Sequence, residues 1–232
     1  MSRIGISVLG RMFPIATAAF LLLAATAARA EVITRLPTEE RVVALTFDAC
    51  ESVTPAELDR RIVSVLAAEG VPYTVFVGGR FARHQRDALA ALAATGMVEL
   101  ENHSFNHPQH MERLSPERIR REVEDTEALI RDITGRSTRF FRFPAGHYDG
   151  PALALVESLG HRVVHWETPS GDPAAAIDAE TLLRWVLGHT RPGTIHIFHI
   201  NGRGRHTAAI LPRLIAELRR KGYRFVRLDE FL

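Results

Sequence analysis

Residues 42–48, Val-Val-Ala-Leu-Thr-Phe-Asp, are the stretch on which the fold turns. Val42 to Phe47 reads as a buried strand, rich in apolar and β-branched residues. It ends on Asp48. A carboxylate closing an apolar strand is costly unless it is paired or does chemistry; the alternative is an ordinary cap of a following helix.

Working outward, the chain alternates. Thr54-Pro55-Ala56-Glu57 opens a helix, with Thr54 as N-cap, Pro55 at its first position and Glu57 completing a capping box. Strands are expected at 72–77, 98–101, 139–143, 162–166, 194–198 and 223–226. Helices are expected at 81–94, 151–159, 179–187 and 207–221. The longest helix starts at Ser115-Pro116, carries Ile119, Val123, Ile130 and Ile133 on one face, and stops at Gly135. Strands interleaved with helices imply a parallel α/β architecture. An open doubly wound sheet and a (β/α) barrel both fit.

The polar clusters favour the barrel. Thr46 to Asp48, His103 to His107, Arg142 to Gly146, and His199 all fall at C-terminal ends of expected strands. A (β/α) barrel gathers such positions at one mouth. Asp48 and Arg142 are natural partners, and the guanidinium would keep the carboxylate ionised. His103 and His107, four residues apart, share a face if they lie on a helical turn. That suits two ligands of one Zn²⁺-like ion, although the chain has 11 histidines and an i,i+4 pair also arises by chance. Pro144-Ala145-Gly146 is a tight turn, either an ordinary one or one aiming backbone N–H groups into the mouth. Strand alternation puts His199 on the face of Ile197, and Asp172 is a candidate to orient its imidazole.

Composition narrows the class. The chain has 232 residues. Arg3 and Arg11, the apolar run that follows, and Ala28-Arg29-Ala30 read as a signal peptide over 1–30, cut before Glu31. The remaining 31–232 is long enough for one large domain. A secreted or periplasmic location follows, with no membrane span after cleavage. The precursor is basic, with a pI near 9.1. Removing Arg3, Arg11 and Arg29 from its 29 basic residues leaves 26 against 27 acidic ones. A nucleic-acid partner is therefore not expected. Cys50 is the only cysteine, so no internal disulfide forms.

In order and spacing these clusters resemble the polysaccharide deacetylase family, also called the NodB homology domain or carbohydrate esterase family 4. The resemblance runs from about residue 42 to 226. It implies a deformed (β/α) barrel of about seven parallel strands. It also implies Asp48 as catalytic base, Arg142 as its partner, His103 and His107 as metal ligands, and His199 as acid. Arg142, Pro144 and Gly146 match the third motif. The implied cofactor is a divalent cation, Zn²⁺ or Co²⁺, and the implied substrate an N- or O-acetylated glycan.

Three positions depart from the family pattern. Ala49 stands where a second aspartate supplies the third metal ligand. Ala145 replaces an aromatic residue, and its own backbone N–H would still serve as oxyanion donor. Pro173 replaces a tryptophan after Asp172. Cys50, Glu51 and Asp48 are the neighbours available for the missing ligand, and the expectation is a two-histidine site completed by water or Glu51. Ala49 and Pro173 also keep open a non-catalytic glycan-binding relic. The barrel chemistry keeps open an amidohydrolase of a small non-sugar amide.

Overall fold

The computed structural model describes Met1, residues 31–51 and residues 54–232; the segment read as a signal peptide, 2–30, lies outside the described residues. The strands are β1 (Val42–Ala49), β2 (Tyr73–Val77), β3 (Val98–Asn102), β4 (Phe140–Phe141), β5 (Arg162–Val163), β6 (Thr168–Pro169), β7 (Ile195–His199) and β8 (Arg224–Val226). The helices are α1 (Arg60–Ala68), α2 (Gly79–His84), α3 (Arg86–Ala94), α4 (Pro116–Thr134), α5 (Gly150–Ser158), α6 (Ala179–Gly188) and α7 (Thr207–Arg220).

The sheet is parallel throughout, in the order β5-β4-β3-β2-β1-β7-β6. β8 pairs with Val42–Ala44 of β1, on the edge that β2 takes further along. The sheet curls, and its seam lies between β5 and β6. The segment after residue 31 fills that seam. Ile33 bridges to Val164 and Arg35 to Thr194, and Leu36 donates its N–H to the Gly193 carbonyl at 2.8 Å. The expected deformed barrel of about seven parallel strands is thus a curled half-barrel. β6 is the strand absent from the sequence reading; it has only two residues, Thr168 and Pro169, and no hydrophobic period to betray it.

β1 is buried along its whole length. Successive side chains point to opposite faces. Val43, Leu45, Phe47 and Ala49 join the outer apolar layer with Ile62, Leu66 and Leu211 from the helices. Val42 and Ala44 pack inside the curl with Phe76, Phe140, Ile195 and Val226. The same alternation carries Thr46 and Asp48 into the interior above them. On β4, Phe140 faces inward and Phe141 outward, so Arg142 turns in. On β7, Ile195 faces in and Phe198 out, so His199 also turns in. Binary patterning therefore lifts Thr46, Asp48, Arg142 and His199 onto the rim of an apolar plug.

Two helix boundaries differ from expectation. α1 starts at Arg60 with Asp59 as its cap, its carboxylate accepting the Arg61 N–H at 3.0 Å, rather than at Thr54. The reason is tertiary. Buried Glu51 takes the Ala56 N–H, and the Asp59 N–H is tied to the Ile200 carbonyl past the end of β7. Those anchors override a local capping box. The single helix expected at 81–94 is two, α2 and α3, broken at Gln85, whose side-chain amide donates to Glu57 Oε2 at 3.0 Å. α4 follows its sequence reading: Ser115 caps it and Gly135 ends it with φ 72°.

Candidate active site and metal centre

Asp48 closes β1 and is 5% exposed. Arg142 donates from Nη1 to Asp48 Oδ1 at 2.7 Å and from Nη2 to Thr46 Oγ1 at 2.9 Å. It also donates to the carbonyls of Val164 and His165 at 3.2 and 3.1 Å. Its guanidinium is fully buried and lies 3.9 Å from the centre of the Phe76 ring. Burial alone would raise the Asp48 pKa. The His103 ring, the Arg142 guanidinium and the His199 ring around it outweigh that and hold it at about 2. Arg142 is the one of the three that is always charged. A carboxylate held ionised in this way is a ready proton acceptor.

His103 and His107 do not lie on a helical turn, contrary to the spacing argument. Residues 103–107 form a loop in which Ser104 and His107 both adopt left-handed backbone, with φ of 62° and 54°. Such conformations cost free energy in non-glycine residues and persist where surroundings enforce them. Here Asn102 Oδ1 accepts the Ser104 N–H and Ser104 Oγ accepts the His107 N–H. Glu122 on α4 accepts the N–H groups of Phe105 and Asn106 at 2.8 and 2.7 Å. The loop carbonyls of Ser104 and Phe105 accept the first N–H groups of α2. Gly79 is required at that junction, because a Cβ there would sit 2.2 Å from the Phe105 ring.

The loop brings the two imidazole centroids to 5.0 Å. His103 donates Nδ1–H to the Arg142 carbonyl at 2.8 Å, since a carbonyl only accepts. Its Nε2 lone pair is left facing the cavity, fully buried and without a partner, 3.4 Å from Asp48 Oδ2. Burial lowers the His103 pKa and pushes that of His107 to about 3. Both rings are therefore neutral and able to ligate at neutral pH. An orphaned nitrogen lone pair beside a second imidazole and a carboxylate fits a divalent cation, and an ion there would satisfy it.

The third side chain in reach is Cys50. One ligand atom each from Cys50, His103 and His107 lies within 4.8 Å of the others. Burial, then the Asp48 charge, pushes the Cys50 thiol up to about 11, so it is no free nucleophile. Glu51 does not join this group: its carboxylate is bound to His84 Nδ1 at 2.8 Å and to the Ala56 N–H at 3.1 Å. The expected completion of the site by Glu51 does not fit these contacts.

His199 ends β7. Its Nδ1 lies 2.8 Å from Asp172 Oδ1, and its backbone N–H donates to Asp172 Oδ2 at 2.8 Å. Asp172 is buried and also accepts from Thr207 Oγ1 and Ser170 Oγ. Asp48, His107, Ala145, Asp172 and His199 all line one cleft of about 350 Å³, with Trp166, Pro173 and Arg203 on its walls. Ala145 has φ 54° within the turn Pro144–Gly146, and Gly146 is packed under Trp166. Trp166 thus supplies an aromatic wall in a cleft that lacks one at 145 and 173. Sequence reasoning gave no role to Glu122, Trp166 or Arg203.

A family model described as polysaccharide deacetylase matches residues 35–164. The chain belongs to the polysaccharide deacetylase family. That family comprises hydrolases of carbon–nitrogen bonds other than peptide bonds. A peptidoglycan-N-acetylmuramic acid deacetylase of Bacillus subtilis is 27% identical over 84% of the chain and 73% of its own length. A chitooligosaccharide deacetylase of Sinorhizobium fredii is 31% identical over 78% of the chain and 87% of its own. Among solved structures, a peptidoglycan N-acetylglucosamine deacetylase superposes with a TM-score of 0.79 at 25% identity, covering 87% of the chain and 92% of that protein. The family's first three motifs lie within the matched span; His199 lies beyond it.

Proposed function

We propose that this chain removes N-acetyl groups from an extracytoplasmic polysaccharide or oligosaccharide, releasing acetate, with a divalent cation, Zn²⁺ or Co²⁺, held by His103 and His107. Relatives named for peptidoglycan and chitooligosaccharide support the substrate class. The location follows from the signal-like segment 1–30, cut before Glu31. The observation that carries the reading is one cleft holding both a carboxylate and an imidazole, each braced by a charged partner. Asp48 is locked ionised by Arg142, and His199 is braced by Asp172.

An amide resists attack by water, and its amine leaves poorly. His103 and His107 would hold the divalent cation, which would supply Lewis acidity to the acetyl carbonyl and to the attacking water. Asp48 Oδ2, not engaged by Arg142, accepts the proton of the attacking water. Arg142 keeps that carboxylate aimed. Ala145, in the turn Pro144–Gly146, lines the cleft, and its backbone N–H would serve as donor to the developing oxyanion. His199, its Nδ1–H directed to Asp172, delivers a proton to the departing sugar nitrogen. Acetate and a free amino sugar result.

A binding relic, motivated by Ala49 and Pro173, is not favoured: the Asp48–Arg142 and His199–Asp172 pairs are both intact, and the named relatives are deacetylases. The test is acetate release from acetylated chitooligosaccharides and peptidoglycan, against small acetamides, with and without chelator. Release from glycan alone, lost on chelation, is expected. Release from small amides alone, or none under any metal, would refute the proposal.

A further inference from the structure

The strand period makes the replacement at position 49 intelligible. Ala49 is fully buried in the outer apolar layer, packed beneath the helices. Asp48 has the opposite parity and lines the cleft, and Cys50, just past the end of β1, is grouped with His103 and His107. With no carboxylate at 49, the side chain at 50 is the one that lies beside the two imidazoles. Glu51 is taken by His84 and the Ala56 N–H. Cys50 is 3% exposed, and its ligand atom and those of the two imidazoles are mutually within 4.8 Å.

Two further observations point to a cation there. His103 Nε2 is a buried lone pair with no partner, fixed by the bond from Nδ1 to the Arg142 carbonyl. The sulfur itself is met by nitrogen donors. Asn201 Nδ2 lies 3.6 Å and Arg203 Nη1 4.0 Å from Cys50 Sγ. Donors converging on a sulfur stabilise a thiolate, as the outer contacts of thiolate metal sites do. Asn201 is further fixed by donating to the Cys50 carbonyl.

We propose that the third protein ligand of the site is the thiolate of Cys50, giving a Cys-His-His set. This rests on the metal-dependent reading above and names the ligand that reading lacks. Binding forms a sulfur–metal bond and releases the thiol proton to solvent. Three protein ligands leave a position open to water and substrate. Asp48 stays outside the set and remains free as base. The thiolate also sets metal choice. A sulfur donor prefers Zn²⁺, Co²⁺ or Cd²⁺ and discriminates against Mg²⁺ and Mn²⁺, which carboxylate sites tolerate.

The experiment is Co²⁺ titration of the whole chain, followed by absorption. Wild type is expected to show the near-ultraviolet thiolate-to-cobalt charge-transfer band together with visible bands of a low-coordinate ion. Cys50→Ala is expected to lose the charge-transfer band and bind Co²⁺ at least about 100-fold more weakly, beyond the 10- to 100-fold loss typical of an outer contact. Cys50→Asp is expected to recover affinity without that band. Should a variant fail to fold, the wild-type spectrum still decides. Visible bands without charge transfer in wild type, with unchanged affinity in Cys50→Ala, would overturn the thiolate and leave the deacetylase reading standing. Wild type binding neither Co²⁺ nor Zn²⁺, while acetate release persists in chelator, would overturn both.

Discussion

His103 donates its Nδ1–H to the backbone carbonyl of Arg142 across 2.8 Å. One bond thus joins the second and third motifs. It fixes the tautomer of the imidazole and leaves Nε2 aimed at the cavity, while the side chain of the same arginine holds Asp48. Asp48, Arg142 and His103 are therefore one rigid unit built on β1, β3 and the end of β4.

Arg142 is the centre of that unit, so its loss should damage the fold as well as turnover. Arg142→Met leaves the buried Asp48 charge uncompensated, along with Thr46 Oγ1 and two carbonyls. Breaking a buried pair from one side costs about 3–5 kcal/mol. Urea unfolding should show a loss of that size. Arg142→Lys should not rescue it, because an ammonium cannot reproduce the fork. A loss under about 1 kcal/mol would mean the pair is solvated in solution.

Asp48→Asn should abolish acetate release at neutral pH while the chain stays folded. The same variant tests the electrostatics. The folded pKa is lowered from 3.8 to about 2, so the ionised carboxylate stabilises the fold above about pH 4 and that contribution is lost as pH falls toward 2. Subtracting the variant's stability from that of wild type should isolate it, a decline of about 2 kcal/mol across that window. A flat difference would show that Arg142 does not govern Asp48.

Much of this was legible in the sequence. β1, α4 and β7 were readable because period and caps agree. Asp48, Arg142 and His199 were legible as polar residues ending apolar strands, and Asp172 only as a candidate partner of His199 within Ser170-Gly171-Asp172-Pro173. The geometry of His103 and His107 was not, because four-residue spacing suggests a helix, and only tertiary bonds from Asn102 and Glu122 impose left-handed backbone instead. Glu51 was a plausible ligand by proximity in sequence, but its partner His84 is 33 residues away. Cys50 was within reach of the alternation argument: counting in twos from Val42 places it on the inner face.

Asp172→Asn should act on turnover more than on binding. The carboxylate receives the His199 N–H and faces its Nδ1. An amide there removes the negative charge that stabilises the protonated ring, and if it presents N–H to Nδ1 the Nε2 proton is that of a neutral imidazole, which is not readily given up. We expect kcat to fall by about 10²- to 10⁴-fold, the usual contribution of a general acid, with KM little changed. Equal loss in Asp172→Asn and in a double variant with His199→Ala would confirm that the two act as one. Additive losses would separate them.

Glu122 lies 15 residues beyond His107 in sequence, yet it shapes the loop that places both histidines. Its carboxylate accepts two backbone N–H groups and the Asn106 amide. It sits on α4 one turn past Ile119, on the flank of the apolar face, and is 7% exposed. Glu122→Ala strands those donors, at about 1–3 kcal/mol. The left-handed backbone at Ser104 and His107 then loses part of what enforces it, and the imidazoles should drift apart. Metal affinity, measured by competition with a chromophoric chelator, should fall about 10- to 100-fold, the scale of a lost outer contact. Glu122→Gln keeps one acceptor oxygen and should fall between. Affinity unchanged in Glu122→Ala would mean the loop is held by Ser104 and Asn102 alone.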